Sequence, residues 1–155
     1  MQNRVYFDTV MCDLTDLMND EKSLLIVSSG KSTLAYETAT MLAERNSLSH
    51  HVCMLRCEDG ELHEHVLIGR EAHYGWKLID DCKRGIISRP MLQYDLGKLL
   101  GYTMREILEF IASAKSRECP CDCCGGPFVD EKYFNSDPDA LNWRIKDDGN
   151  LEVTL

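Results

Sequence analysis

Val52-Cys-Met-Leu-Arg-Cys57 and Leu62-His-Glu-His-Val-Leu-Ile68 flank Glu58-Asp59-Gly60-Glu61. Both runs are rich in β-prone residues. Asp-Gly suits a tight reversal, because glycine accepts the positive φ that side chains resist. The stretch predicts an antiparallel hairpin. Side chains alternate along a strand, so His63 and His65 share one face, and Cys53 and Cys57 share a face of the partner strand. The hairpin can bring the two pairs together as metal ligands. Four such donors suit zinc, whose shell takes thiolate and imidazole.

Outward from the hairpin, Ser23-Leu-Leu-Ile-Val27 is a short apolar run that reads as a buried strand, followed by a turn at Ser28-Ser-Gly-Lys-Ser-Thr33. A helix is expected from Thr33 to Arg45, with Leu34, Met41 and Leu42 facing inward. Before the strand, Tyr6, Phe7, Val10, Leu14, Leu17 and Met18 recur at helical steps over 4–19. After the hairpin come three helical stretches. Glu71–Arg84 carries Trp76, Leu78 and Ile79. Ser88–Leu100 opens on Ser-Arg-Pro, a cap and first turn. Thr103–Ala114 opens on Thr103-x-x-Glu106, a capping box. Trp143-Arg-Ile-Lys and Leu151-Glu-Val-Thr-Leu155 flank a glycine turn and predict a C-terminal β-hairpin.

The expected fold is therefore α+β: a small mixed sheet with about five helices, in a single domain over 1–155. The pair at 88–114 resembles a helix-turn-helix, with a small residue at Gly97, a turn at Gly101 and apolar positions at Ile107 and Phe110. The segment 118–140 is the least regular part.

Composition narrows function. The chain has 155 residues, of which 44% are hydrophobic and 28% charged, as expected of one ordinary soluble domain. No apolar run is long enough to span a bilayer, and the first residues lack the apolar core of a signal peptide, so the cytosol is expected. The net charge of −9 argues against a broad nucleic-acid surface, which needs clustered Lys and Arg. The basic cluster is confined to Lys83, Arg84 and Arg89. Nucleic-acid contact through 96–114 is disfavoured by Glu106 and Glu109 beside Arg105.

Cys119-Pro-Cys121-Asp-Cys123-Cys124-Gly-Gly-Pro is the most specific chemical signal. Cys121-x-x-Cys124-Gly has the spacing of a metal knuckle, in which two thiolates grip an ion and glycine frees the backbone to curl around them. Over about ten residues it resembles one half of a zinc ribbon; the chain has no second Cys-x-x-Cys. Cys119 and Cys123 are further candidate zinc ligands, and Cys53, Cys57, His63 and His65 could complete the shell from a distance. Pro120-Cys121-x-x-Cys124 also matches half of the zinc deaminase signature, but the His/Cys-x-Glu half is missing. Redox exchange is disfavoured by Glu118 and Asp122 and by the position of the thiols after a helix. Gly30-Lys31-Ser32-Thr33 resembles the end of a phosphate loop, but Leu25 stands where its first glycine belongs. A turn with Ser32 as helix cap is the simpler expectation.

Two functions follow as expectations. The first is a non-enzymatic cytosolic binding or regulatory protein with a structural zinc and a protein partner, of the kind a virus or mobile element uses to modulate host machinery. The second is a metal-dependent hydrolase using His63, His65 and either Cys57 or an acidic neighbour, with Glu61 or Glu64 as base. A DNA-binding helix-turn-helix regulator ranks third.

Overall fold

A computed structural model describes residues 4–57, 59–112, 122, 142–145 and 151–154. The described residues form an α+β fold. In chain order the elements are α1 (Arg4–Met18), β1 (Leu25–Ser28), α2 (Thr33–Arg45), β2 (His50–Arg56), β3 (Leu62–Ile68), α3 (Ala72–Lys83), α4 (Arg89–Leu99), α5 (Met104–Ala112), β4 (Asn142–Ile145) and β5 (Leu151–Thr154). The sequence-predicted elements fall within a residue or two of these bounds.

The main sheet has the order β1-β3-β2 and is antiparallel at both pairings, where the sequence predicts a mixed sheet. The helical crossover of α2 suggests that β1 and β2 lie side by side. Instead β3 folds back between them. β3 ends in Val66-Leu-Ile68, all three residues fully buried, and these can stay dry on both faces only in the central position. β4 and β5 pair antiparallel as a separate ribbon, Trp143 opposite Val153. Residues 146–150, where the predicted turn lies, are outside the described residues.

Helices cover both faces of the sheet. Leu25, Val27, Val66 and Ile68 pack with Val10, Leu14 and Leu17 of α1 and with α2. Leu24, Leu55 and Leu67 pack on the other face with Leu78 and Ile79 of α3 and Leu92 and Leu96 of α4. On α2, Leu42 packs against the core as expected, but Leu34 and Met41 do not. Leu34 is 49% and Met41 40% exposed, while Ala35, Tyr36, Ala39 and Ala43 are buried. Small alanines let α2 approach the sheet and α1 closely, and that close packing outweighs burial of the larger side chains.

Caps fix the helix ends. Ser32 accepts a hydrogen bond from the Ala35 N–H (3.0 Å) at the start of α2, as the simpler reading of the Gly30-Lys31 turn expects. The capping box of α5 is reciprocal. The Glu106 N–H donates to Thr103 Oγ1 (3.2 Å), and the Thr103 N–H donates to Glu106 Oε1 (3.0 Å). Gly101, at φ +91°, ends α4 in a Schellman motif: the Tyr102 N–H reaches Gly97 O (3.0 Å) and the Gly101 N–H reaches Lys98 O (3.1 Å). This reversal folds α5 back on α4.

Candidate functional site

The 57–61 turn is built as the Asp-Gly pair dictates. The Cys57 N–H donates to Glu61 O (2.9 Å), the Gly60 N–H donates to Cys57 O (2.9 Å), and Gly60 sits at φ +80°. Asp59 Oδ1 accepts from the Glu61 N–H (2.8 Å). This turn carries Cys57 off the end of β2. In the sheet, Ser28 of β1 and Cys53 of β2 are both register partners of His65 on β3.

A line of hydrogen bonds runs through this region. Ser28 Oγ accepts from the Gly30 N–H (3.2 Å) and lies 3.3 Å from Cys57 Sγ. Cys57 Sγ is 3.5 Å from His65 Nε2, and His65 Nδ1 is 2.9 Å from the His63 carbonyl oxygen. Both ends have a fixed direction, because an amide N–H only donates and a carbonyl only accepts. His65 in its neutral form therefore carries its proton on Nδ1, and Nε2 offers its lone pair to the Cys57 thiol. The Ser28 hydroxyl, already accepting from Gly30, can donate to the sulfur. His65 is only 1% exposed, so this network meets the requirement that a buried polar group be bonded.

The other candidate ligands go elsewhere. His63 shares the face of His65, as alternation predicts, but its Nε2 bonds Asp59 Oδ2 (2.8 Å). That bond, with the Glu61 N–H second, holds the Asp59 carboxyl below its usual range. Cys53 packs among the α3–α4 core side chains. Burial pushes its thiol up to about 11, against the smaller effect of Lys83. Burial raises the Cys82 thiol as well. Among the described residues, no three His, Cys, Asp or Glu side chains gather as a metal-binding group. Cys119, Cys121, Cys123 and Cys124 lie outside the described residues. Asp122, between them in sequence, bonds the β2 backbone. Its carboxylate accepts from the Arg56 N–H (2.7 Å), its own N–H donates to Arg56 O (3.0 Å), and Lys83 Nζ is 3.5 Å away.

A cleft of about 820 Å³ opens beside the network, between β1, α4 and α5. Ser28, Cys57 and His65 line it together with Lys31 and Glu106, and Leu24, Ile26 and Leu96 are among its apolar lining. On α5, Arg105 Nε is paired with Glu109 (3.0 Å), so the cation available to a phosphate backbone is already engaged.

Comparison with protein-family models, with curated proteins and with solved structures finds no match to this chain. The geometry therefore carries the functional argument alone.

Sequence reasoning selected Cys57 and His65, but as metal ligands. It missed their direct contact and the part played by Ser28, which it assigned to a turn. A signal was present. A histidine immediately before Val66-Leu-Ile68 in a central strand is buried and needs a partner, and a hairpin brings its own strand-end thiol closest.

Proposed function

We propose that the chain is a cytosolic binding and regulatory protein that acts by docking a protein partner, with a zinc-bound knuckle as a structural clamp. One observation carries the docking role. Val52, Met54 and Leu62 are 48%, 51% and 50% exposed on the outer part of the sheet face that α1 and α2 cover near β1. The register sets Val52 opposite Val66 and Leu62 opposite Arg56, so the three form one stripe over β2 and the start of β3. Grouped apolar side chains of this size on a sheet surface mark contact sites. The acidic charge of −9 favours a partner with a basic rim around an apolar centre.

The clamp is supported by Asp122, which lies within the Cys119–Cys124 run in sequence and bonds the backbone of β2. Cys121 and Cys124, with Cys119 and Cys123 as further ligands, are the zinc donors in this reading.

The test uses affinity-tagged full-length protein expressed in its native host cells. A partner that co-purifies with the wild type should be lost from the Val52→Glu/Met54→Glu variant, while thermal melting stays within a few degrees. Retention of that partner by the variant overturns the docking stripe. For the clamp, metal analysis of purified protein should give one zinc per chain, lost in Cys121→Ser/Cys124→Ser. Full metal content in that variant overturns the knuckle.

A further inference from the structure

Exposed stripe and knuckle leave the Ser28–Cys57–His65 network unused. A thiol, a lone-pair nitrogen aimed at it and a carbonyl that orients the ring form the arrangement by which proteins activate a nucleophile. We propose that Cys57 is an acyl-acceptor site, which takes an apolar acyl group from an acyl thioester bound in the cleft between β1 and α4–α5.

Three observations converge on this chemistry. His65 is fixed in the tautomer that can accept a proton from the thiol, because Nδ1 is committed to His63 O at 2.9 Å. The same carbonyl stabilises the imidazolium that forms, much as a carboxylate does in other nucleophile–base pairs. Ser28 Oγ, 3.3 Å from the sulfur, can turn its proton to the thiolate or to the oxygen that gains charge on the attacked carbonyl. Leu24, Ile26, Leu96, Leu100 and Phe110 give the cleft apolar wall that suits an alkyl chain, while Lys31 and Glu106 are among the charged residues that also line it.

The step balances. His65 Nε2 takes the Cys57 proton. The thiolate attacks the thioester carbonyl carbon, forming a new S–C bond. The tetrahedral centre collapses, the donor's C–S bond breaks, and the departing thiolate takes the proton back from His65. One thioester replaces another with no oxidation or reduction. The acyl chain then fills the cleft and bears on α4 and α5, so acylation is a means of altering the protein's surface. The proposal goes beyond the docking reading and stands without it.

The experiment treats full-length protein with S-octanoyl-N-acetylcysteamine or S-acetyl-N-acetylcysteamine and follows adducts by intact mass and peptide mapping. The octanoyl donor should add one acyl group, on Cys57, removable by neutral hydroxylamine. Exposed Cys12, a surface thiol on α1, supplies the internal reference and should acylate at least tenfold more slowly. His65→Gln should slow Cys57 acylation by about 100-fold, the scale of a lost general base. His65 is buried, so Ser28→Ala is a second variant and should slow the reaction several-fold. Equal rates at Cys57 and Cys12 in the wild type overturn the proposal. So does equal reactivity of the acetyl and octanoyl donors, or an unchanged rate in a folded His65→Gln protein. The rates at Cys57 and Cys12 are read peptide by peptide, so thiols freed by loss of zinc raise the total adduct count without altering that comparison, and failure of the binding reading is separable.

Discussion

Gly97 of α4 lies so close to Ile107 of α5 that a Cβ on Gly97 would stand 2.9 Å from Ile107 Cγ1 and 3.1 Å from Cδ1. The glycine is the socket and the isoleucine, 4% exposed, is the plug. Two effects oppose each other in Gly97→Ala. Helix propensity gains about 1 kcal/mol, while overpacking a tight contact costs roughly 1–3 kcal/mol. Overpacking wins, and the expected outcome is a net loss of about 1 kcal/mol in urea unfolding. In an Ile107→Ala background the clash is gone, and the same change should become stabilising. A double-mutant cycle without that reversal of sign contradicts the socket.

Gly69→Ala should be among the most damaging single substitutions. Gly69 is at φ +125°, a region that side chains rarely occupy, and an added Cβ would run into the Ser23 carbonyl oxygen, with the carbonyl carbon 2.9 Å away. The obstacle is backbone, so no rotamer relieves it. A loss of several kcal/mol is expected, more than the ~1–2 kcal/mol of left-handed strain alone. Gly60→Ala, at φ +80° in open space, provides the comparison, because it carries strain without a clash. Thermal melts of the two variants should differ clearly.

Cys53 should resist alkylation. Burial raises its thiol to about 11, so at pH 8 it is almost wholly protonated and reacts slowly. Iodoacetamide followed by peptide mapping should label exposed Cys12 well before Cys53. The same shift makes a stability claim. The folded chain keeps this proton where the unfolded thiol loses it, so the contribution is fully present below the ordinary thiol value. It is lost as pH rises toward about 11. Cys53→Ala should flatten that alkaline fall in unfolding free energy.

His51 supplies the acid-side counterpart. Its ring is tilted on Trp76 at 4.8 Å and meets His73 edge-on at 5.4 Å. Burial, and next the His73 charge, lower its pKa. The unfolded chain then binds the proton more readily than the folded one, so stability should fall as pH drops below the ordinary imidazole value of about 6.5. His51→Gln should lose part of the difference between urea midpoints at pH 5 and pH 7. An unchanged difference contradicts the assignment.

Local signals carried far in this sequence, and long-range ones did not. The Asp59-Gly60 turn, the Thr103–Glu106 box and the Ser88 and Ser32 caps depend on neighbours a few residues apart, and each is read directly from residue type. The insertion of β3 between β1 and β2 depends on which strand needs burial on both faces, and short apolar runs state that only weakly. On α2, side-chain size points correctly to Leu42 but not to Leu34 or Met41, whereas Ala35, Ala39 and Ala43 mark the side of closest approach. Residue type and strand alternation single out Cys57 and His65 as a pair, and the structure adds their direct contact at 3.5 Å. Their hydrogen-bond network also includes Ser28, 29 residues before the cysteine, and no local pattern connects these three.

The bonds between Asp122 and Arg56 have a consequence for how the molecule is born. Their two ends are separated by 66 residues, so a nascent polypeptide leaving the ribosome can finish β2, β3 and three further helices before the outer margin of β2 meets its late companion. Closing so long a loop is slow compared with turning a hairpin. Synthesis thus yields first a preassembled body and only afterwards its fastening, and a message cut short before codon 122 would release the body unfastened.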